Sequence, residues 1–550
     1  MKRRDFIKIG AGVLGGIALS SRFPGVLISE SQAATRNITV RITDAIKEMA
    51  TYNGLNQDPN GTCYFWVYQM SEGAQVIPPD CPGPTIYATG GDVINMTVTN
   101  ELDEPHAFFI PGFAGANTGP IPPLQNAPAN VANISFTVGA GAYLYYDNLN
   151  APVNRVMGLH GALVVMPKSA QPGHKLCPYA KPTPQIQALF DDLGTAPHWP
   201  GLSWEAGDPA TMTSPQRQYT WICHQASPKL FRTVGSLAPG VIFDAAEFTR
   251  LFQKDDFKND SFNIDKSSHI PTFFTINGQS GHFCHNNPCV TAMARVGEPL
   301  VIRVMNAGLM SHSMHLHANH YYVLSVDGVM QGTPNGTGEN NATLLRPGII
   351  WVDTFTLNQF GSPASRYDLL VPMMRPPDIP NVGGIGRAGS GDAAYATTAG
   401  GLTYPPLQEF NVFQQKAATA LSSIDGTTVV FTEQRQSPLC YPMHDHSEPT
   451  QSSQGGNYNT ALISGVYFIG DRNVELAPQP GLPPQTFPMD EDFKMMILEP
   501  NPMAPNRSIC YGIDEARRTG IMQVSRDSKL ESQANRPPFP PGFPDPFPPA

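Results

Sequence analysis

The chain has few charged side chains and no long apolar run. Charged residues make up 15% of its 550 positions, against roughly 25% in a typical globular protein. Lys and Arg are dispersed and outnumbered, with a formal net charge of −10, so nucleic acid is not an expected partner. No apolar run of about 20 residues follows the N-terminus, so no integral membrane segment is expected in the mature chain.

Turn-forming and apolar residues are abundant instead. The chain contains 55 Pro and 50 Gly, while 41% of its residues are hydrophobic. At roughly 150 residues a domain, its length predicts two to four domains. Polar and apolar residues alternate at 37–42, 93–100 and 134–138, which is typical of half-buried strands. Many short strands separated by turn residues predict an all-β protein built from β-sandwiches.

The N-terminus has the pattern of an export signal. Arg3 and Arg4 precede an apolar stretch from 9 to 19, and small residues follow at 31–34. This order is typical of a signal peptide, and the twin arginine indicates the Tat type. The mature chain is expected to begin near Ala34 or Thr35, in the periplasm or outside the cell. An N-terminal membrane anchor is the alternative.

The even number of cysteines permits disulfides in an oxidising compartment. The eight are Cys63, Cys81, Cys177, Cys223, Cys284, Cys289, Cys440 and Cys510. Cys284 and Cys289 flank a turn-like segment and are predicted to pair. The competing interpretation is a metal site made from His282, Cys284, His285 and Cys289, although this spacing matches no common zinc pattern.

Two histidine motifs stand out among the 14 histidines. They are His312-Ser-Met-His-Leu-His317 and His444-Asp-His446. Alternate side chains of a strand share a face, so His315 and His317 point one way, as do His444 and His446. Two such strands side by side would gather four imidazoles, which suit Cu, Zn, Fe or Ni. The alternative is a set of structural histidines without a metal.

These motifs resemble the copper-ligand domain of multicopper oxidases. That family carries His-Pro-x-His-Leu-His-Gly-His, similar to 312–320 here, and later His-Cys-His, similar to 444–446. Segments 83–86 and 158–165 resemble its N-terminal domain, and the likeness covers most of 37–168 and 217–470. The resemblance implies Greek-key cupredoxin sandwiches, copper as cofactor, and a small-molecule substrate or O₂ as partner.

The resemblance also implies a domain order. Two cupredoxin domains are predicted, because too few residues separate the similar segments for a third; a reduced middle domain at 175–270 is the alternative. Two-domain relatives share copper sites within trimers, so a homotrimer is one expectation. The predicted units are a signal peptide (1–34), an N-terminal domain (35–168), a linker (169–216), a C-terminal domain (217–475) with a Gly/Pro-rich loop (372–407), and a C-terminal extension (476–550) ending in a Pro-rich tail.

The departures from the family pattern remove copper ligands. Asp445 stands where the family has the Cys of its type 1 copper, and the axial position falls near Gly455, which offers no side chain. The first domain keeps only His106 of its usual ligands. The predicted copper ligands are therefore His315, His317, His444 and His446, with His106 as a fifth. The side chains of His312 and Asp445 should both point to the core side of their strands and lie near each other, either as a structural pair or in a second, weaker metal site.

Three functions remain open from the sequence. The first is an oxidoreductase with a His-only copper site and no type 1 copper. The second is a copper-handling protein without turnover. The third is a copper-free scaffold that kept the family fold. The retention of all four histidines in the two pairs disfavours this third function.

Overall fold

The computed structural model describes a β-rich chain. The described residues are 26–28, 34–49, 62–193, 218–254, 269–281, 284, 290–294, 300–317, 320–332, 349–371, 439–447, 461–468, 500–501, 504–508 and 521–523. The predicted loop at 372–407, the Pro-rich tail and residues 1–25 lie outside them. None of the helices in the described residues is long and apolar enough to span a membrane.

Two sheets form the first half. Their strands are β1 (Val26–Ile28), β2 (Thr35–Glu48), β3 (Thr62–Glu72), β4 (Gln75–Val76), β5 (Thr85–Thr89), β6 (Val93–Asn100), β7 (Val131–Thr137), β8 (Gly141–Tyr146) and β9 (His160–Met166). The strand orders are β1-β5-β9-β8 and β4-β3-β2-β6-β7. Every second residue of β6 is buried, and Ile94 and Met96 share one core with Leu163 and Val165 of the other sheet. The alternating pattern therefore produces a two-layer packing.

Two further sheets form the second half. Their strands are β10 (Gln218–Ala226), β11 (Phe273–Ile276), β12 (Ala292–Ala294), β13 (Leu300–Asn306), β14 (His312–Leu316), β15 (Tyr321–Val326), β16 (Val329–Met330), β17 (Ile350–Val352), β18 (Thr354–Leu357), β19 (Arg366–Val371), β20 (Leu439–Asp445) and β21 (Ile463–Phe468). One sheet runs β11-β10-β13-β19-β15-β16, with β17 beside β15, and the other runs β12-β21-β20-β14-β18. Trp221 and Leu300 of the first sheet share a core with Met314 and Met443 of the second.

Short strands and helices complete the described chain. The remaining strands are β22 (Pro500–Asn501), β23 (Ala504–Ser508) and β24 (Ile521–Gln523), and β24 pairs with β2. The helices are α1 (Val153–Val156), α2 (Pro184–Leu193), α3 (Pro228–Gly235) and α4 (Ala245–Lys254), with a 3₁₀ turn at Leu124–Asn126. Helix α3 begins where Ser227 accepts a hydrogen bond from the Leu230 amide and Pro228 occupies the first turn, a common N-terminal arrangement. The predicted all-β fold class is confirmed.

The two halves contact each other through buried and half-buried polar groups. Arg155 Nε donates to the carbonyl oxygen of Ala307 over 2.9 Å, and His224 Nε2 donates to that of Val156 over 2.8 Å. Arg366 Nη1 donates to the Ala142 oxygen over 2.6 Å. The bond from His224 brings the end of α1 against β10.

The described part of the predicted linker is structured. Within 169–193, helix α2 buries Ile186, Leu189 and Phe190 against the second half, and Tyr179 donates a hydrogen bond to Asp368 over 2.8 Å. The apolar residues of α2 explain this packing, since three of them fall on one helical face. The domain boundaries themselves stay a prediction. Within the predicted signal peptide, β1 pairs in parallel with β5.

The predicted Cys284–Cys289 disulfide is wrong. Cys284 is a free, buried thiol, as are the other four cysteines among the described residues, Cys63, Cys81, Cys177 and Cys223. Cys284 belongs to the apolar core of the second half, with Trp221 and Phe274 in the same cluster. The turn-like sequence after Cys284 did not indicate that this thiol belongs to the apolar core, and Cys289 lies outside the described residues.

Candidate metal centre

The two histidine motifs lie on neighbouring strands. Strands β14 and β20 pair antiparallel, with His315 directly opposite His444. The buried residues of β14 alternate with half-buried ones, and Met314 and Leu316 point into the core. The histidines at the alternate positions therefore share the outer face of the sheet.

Four imidazole rings meet on this face, and we call them the four-histidine cluster: His315, His317, His444 and His446. The centroid of the His315 ring lies 4.9 Å from His317, 5.6 Å from His444 and 4.8 Å from His446. The His444 ring lies 5.0 Å from His317 and 4.7 Å from His446. The Nε2 atoms of His317 and His444 are 2.9 Å apart. The geometry thus brings together the four residues that the sequence selects.

The environment favours the neutral form of three rings of the cluster. Burial lowers the pKa of His315, His317 and His444, and the neighbouring histidines lower it further. A neutral imidazole has the lone pair that a metal ligand needs. His315 Nδ1 also lies 2.8 Å from Thr354 Oγ1, a contact that orients the ring. His317 and His446 are exposed, so the cluster opens to solvent.

His312 and Asp445 face the opposite side of the same strands, as the alternation predicts. His312 Nδ1 lies 2.6 Å from Asp445 Oδ2, and both side chains are fully buried. Asp445 also accepts hydrogen bonds from the Ser313 amide, the Ser447 amide and the Ser447 hydroxyl. Burial alone would raise the pKa of Asp445, but the bonds from His312 and Ser447 lower it to about 2. The contacts are those of a structural pair.

His106 sits in an equivalent pair in the first half. Its Nδ1 lies 2.8 Å from Asp147 Oδ2, and Asn154 donates to the same carboxylate oxygen over 2.9 Å. The Trp66 ring packs edge-on against it, with centroids 4.9 Å apart. Among the described residues, no ring contact joins His106 to the four-histidine cluster. Its role as a fifth copper ligand stays a prediction.

A second group of potential ligands was not visible in the sequence. Cys81, His160 and His224 are all buried, and one ligand atom from each lies within 4.8 Å of the others. The three residues come from a turn, from the start of β9 and from β10. Their wide separation in the chain matches no metal motif, so only the topology could reveal the group. His282, His285 and Cys289, of the alternative site, lie outside the described residues.

Comparison with known proteins finds a similarity in part of the chain. The multicopper oxidase family model matches residues 67–170. These residues are similar to a multicopper oxidase domain. The matched segment runs from β3 through β9 and includes Cys81, His106 and His160. The four-histidine cluster lies outside the match.

Solved structures of copper proteins are similar to the chain at low identity. A blue copper oxidase from Nitrosomonas europaea is 13% identical at a TM-score of 0.41, and the match covers 79% of this chain and 86% of the oxidase chain. The multicopper oxidase mgLAC is 13% identical at 0.40, covering 80% and 87%. A copper nitrite reductase from Nitrosomonas europaea is 15% identical at 0.36, covering 62% and 86%. No curated protein sequence matches this chain.

Proposed function

We propose that this protein is an exported copper oxidoreductase of the multicopper oxidase type, with a His-only copper site at His315, His317, His444 and His446. The single observation that carries the proposal is the meeting of four imidazoles at the outer face of β14 and β20, two on the strands and two on the residues that directly follow them. The similarity of residues 67–170 to a multicopper oxidase domain supports copper over the other metals that imidazole suits.

The donor set fits copper. Imidazole nitrogens are good copper ligands, and tetragonal nitrogen sets are typical of Cu(II). The lowered pKa of three of the rings keeps them unprotonated near neutral pH. When bound, copper supplies one-electron redox chemistry by alternating between Cu(I) and Cu(II). The exposed rings of His317 and His446 leave one side of the cluster open to a small molecule or to O₂.

The ligand set contains no thiolate. Asp445 occupies the position of the family cysteine, and its carboxylate is fully engaged by His312, Ser313 and Ser447. A blue copper site needs Cys and two His, so the proposed centre has no type 1 copper of the family kind beside it. A small reductant would therefore deliver its electrons directly at the open face of the four-histidine cluster.

Oxygen uptake tests this function. Copper-loaded wild type is expected to consume O₂ in the presence of a small phenolic or hydroquinone reductant, and His444→Ala is expected to lose that activity. His174→Ala is the matched control, because His174 is exposed and pairs with Asp191 far from β14 and β20 in sequence. Equal O₂ uptake by wild type and His444→Ala would contradict the proposal.

Copper handling without turnover is the second candidate function. The exposure of His317 and His446 favours it, because an open site can exchange its metal with other molecules. Full copper occupancy of wild type with no O₂ uptake from any of a panel of small reductants would favour this function. A chain that binds no copper at the cluster would instead agree with a copper-free scaffold.

Three further features belong to the proposal. The chain is exported by a Tat-type signal at 1–34, and its two cupredoxin domains span 35–168 and 217–475. All four ligands come from one chain, from two paired strands and from the residue that follows each strand, so the copper site does not need a trimer. Mass spectrometry of the exported protein, reading its first residue, tests the signal.

A further inference from the structure

The second group of potential ligands lies where the two halves of the chain meet. Cys81 occupies the turn between β4 and β5, His160 is the first residue of β9, and His224 lies within β10. Their relative exposures are 1%, 0% and 1%. One ligand atom of each lies within 4.8 Å of the others, and the two rings are 4.6 Å apart. The group is therefore compact and shielded from solvent.

Backbone carbonyls fix the tautomer of both histidines. His160 Nδ1 donates to the Arg155 oxygen over 2.9 Å, and His224 Nε2 donates to the Val156 oxygen over 2.8 Å. The lone pairs are thus left on His160 Nε2 and His224 Nδ1. His160 Nε2 is buried and has no hydrogen-bond partner.

The protein also holds the turn that carries Cys81. The Cys81 oxygen accepts a hydrogen bond from Lys47 Nζ over 2.9 Å, and Lys47 pairs with Asp80 over 2.7 Å. The Gly83 amide donates to the His160 oxygen over 2.8 Å, which ties this turn to β9. At Gly158, a Cβ atom would lie 3.2 Å from the Cys81 sulfur. The thiol is therefore closely packed, and its neighbours are fixed.

We propose that Cys81, His160 and His224 form a separate metal site that binds Cu(I). Two observations point to a ligand: His160 Nε2 is fully buried without a hydrogen-bond partner, and His160 lies beside a thiol and a second imidazole. Buried polar atoms without partners are rare in folded proteins, and a bound ion would satisfy this one. The site is independent of the proposed function, since it shares no residue with the four-histidine cluster.

Charge and coordination number favour Cu(I) over zinc. One thiolate and one Cu(I) ion sum to zero charge, whereas Zn²⁺ would leave a net positive charge in a buried site. The buried guanidinium of Arg155 already disfavours positive charge on both rings. Thiolates bind both Cu(I) and zinc, but structural zinc sites have four protein ligands and three-ligand zinc sites add a water molecule. Among the described residues, the group offers three.

Copper analysis of variants tests the site. In a His315→Ala/His444→Ala background, which disables the four-histidine cluster, protein produced in copper-rich medium should retain one copper per chain. Adding Cys81→Ser should remove it. Adding Cys284→Ser is the matched control, because Cys284 is also a free, buried thiol but lies in the core of the second half. Equal copper in the Cys81→Ser and Cys284→Ser proteins would overturn the proposal.

A measurement on the background protein covers the case in which Cys81→Ser fails to fold. X-ray absorption at the copper edge should show a Cu(I) edge and scattering from one sulfur and two nitrogens. A shell of nitrogen and oxygen alone, or zinc in place of copper in the purified protein, would overturn the assignment. Recovery of Cys81 in a disulfide with Cys63, whose thiol interacts with it electrostatically, would also overturn it. Failure of the four-histidine cluster to bind copper leaves these readouts unchanged.

Discussion

Replacing Asp445 with Asn should destabilise the second half without removing copper from the four-histidine cluster. The reason is a series of buried hydrogen bonds in which the donor and acceptor roles are fixed at both ends. At one end, the Leu309 amide donates to Gln225 Oε1 over 2.9 Å, so Gln225 Nε2 faces His312 Nε2 as a donor. His312 must therefore donate from Nδ1 to Asp445 Oδ2. At the other end, the Ser313 amide donates to Asp445 Oδ1 over 2.7 Å.

An asparagine at position 445 cannot accept hydrogen bonds from both His312 and the Ser313 amide in this series. Its single oxygen can accept either from His312 or from the Ser313 amide, and its NH₂ group then meets another donor. One buried donor is left without an acceptor, which costs about 1–3 kcal/mol. The charged acceptor is also lost, and hydrogen bonds to charged groups lie at the upper end of that scale. We expect the free energy of unfolding to fall by about 2–3 kcal/mol.

Urea-induced unfolding of copper-free protein at pH 7 measures this loss. Asp191→Asn is the matched control, because Asp191 accepts from His174 over 2.7 Å in an exposed pair, and exposed pairs contribute about 0–1 kcal/mol. Copper content of Asp445→Asn should equal that of wild type, since Asp445 faces the core and the four rings face outward. Unchanged stability together with loss of copper would mean that Asp445 is a ligand and that the structural interpretation is wrong.

Three other predictions follow from the packing. Asp368→Asn should cost about 3–5 kcal/mol, because it leaves the buried Arg303 guanidinium without its partner at 3.0 Å; urea unfolding measures the loss. Burial alone would raise the pKa of Asp368, but the Arg303 charge lowers it. The stability that the ion pair contributes is therefore complete above about pH 4 and is lost as the pH falls below that value. Acid unfolding should therefore be shallower in Asp368→Asn than in wild type. Gly158→Ala should cost about 1–3 kcal/mol, because the new Cβ would lie 2.4 Å from the Trp66 oxygen at a φ of +123°; a thermal melt equal to that of wild type would contradict the packing. Size-exclusion chromatography with copper analysis should find copper in the monomer fraction, and copper confined to trimers would contradict a site built within one chain.

Much of the fold and of the four-histidine cluster could be predicted from local patterns. Alternation of apolar residues selects strands such as β6, because a half-buried strand exposes every second side chain. The same rule separates His315 and His317 from His312, and it assigns Asp445 to the core side. That two such strands lie side by side was a hypothesis from the two histidine pairs, and the observed register places His315 opposite His444.

Other features depend on contacts that no local pattern specifies. Cys81, His160 and His224 meet because β9 and β10 approach each other between the halves, which the spacing of the residues does not express. Helix α2 lies in a Pro-rich segment whose composition predicts a connection, yet its apolar face packs on the second half. Local sequence patterns do not indicate which distant surfaces become neighbours, so these features required the three-dimensional structure.

Electron paramagnetic resonance of copper-loaded protein tests the central proposal most directly. Only Cu(II) contributes to the signal, so the spectrum reports the four-histidine cluster separately from the proposed Cu(I) site. Wild type and His174→Ala should show equal Cu(II) signals with nitrogen hyperfine structure, whereas His315→Ala should lose most of the signal. An unchanged Cu(II) signal in His315→Ala would contradict the assignment of copper to β14 and β20.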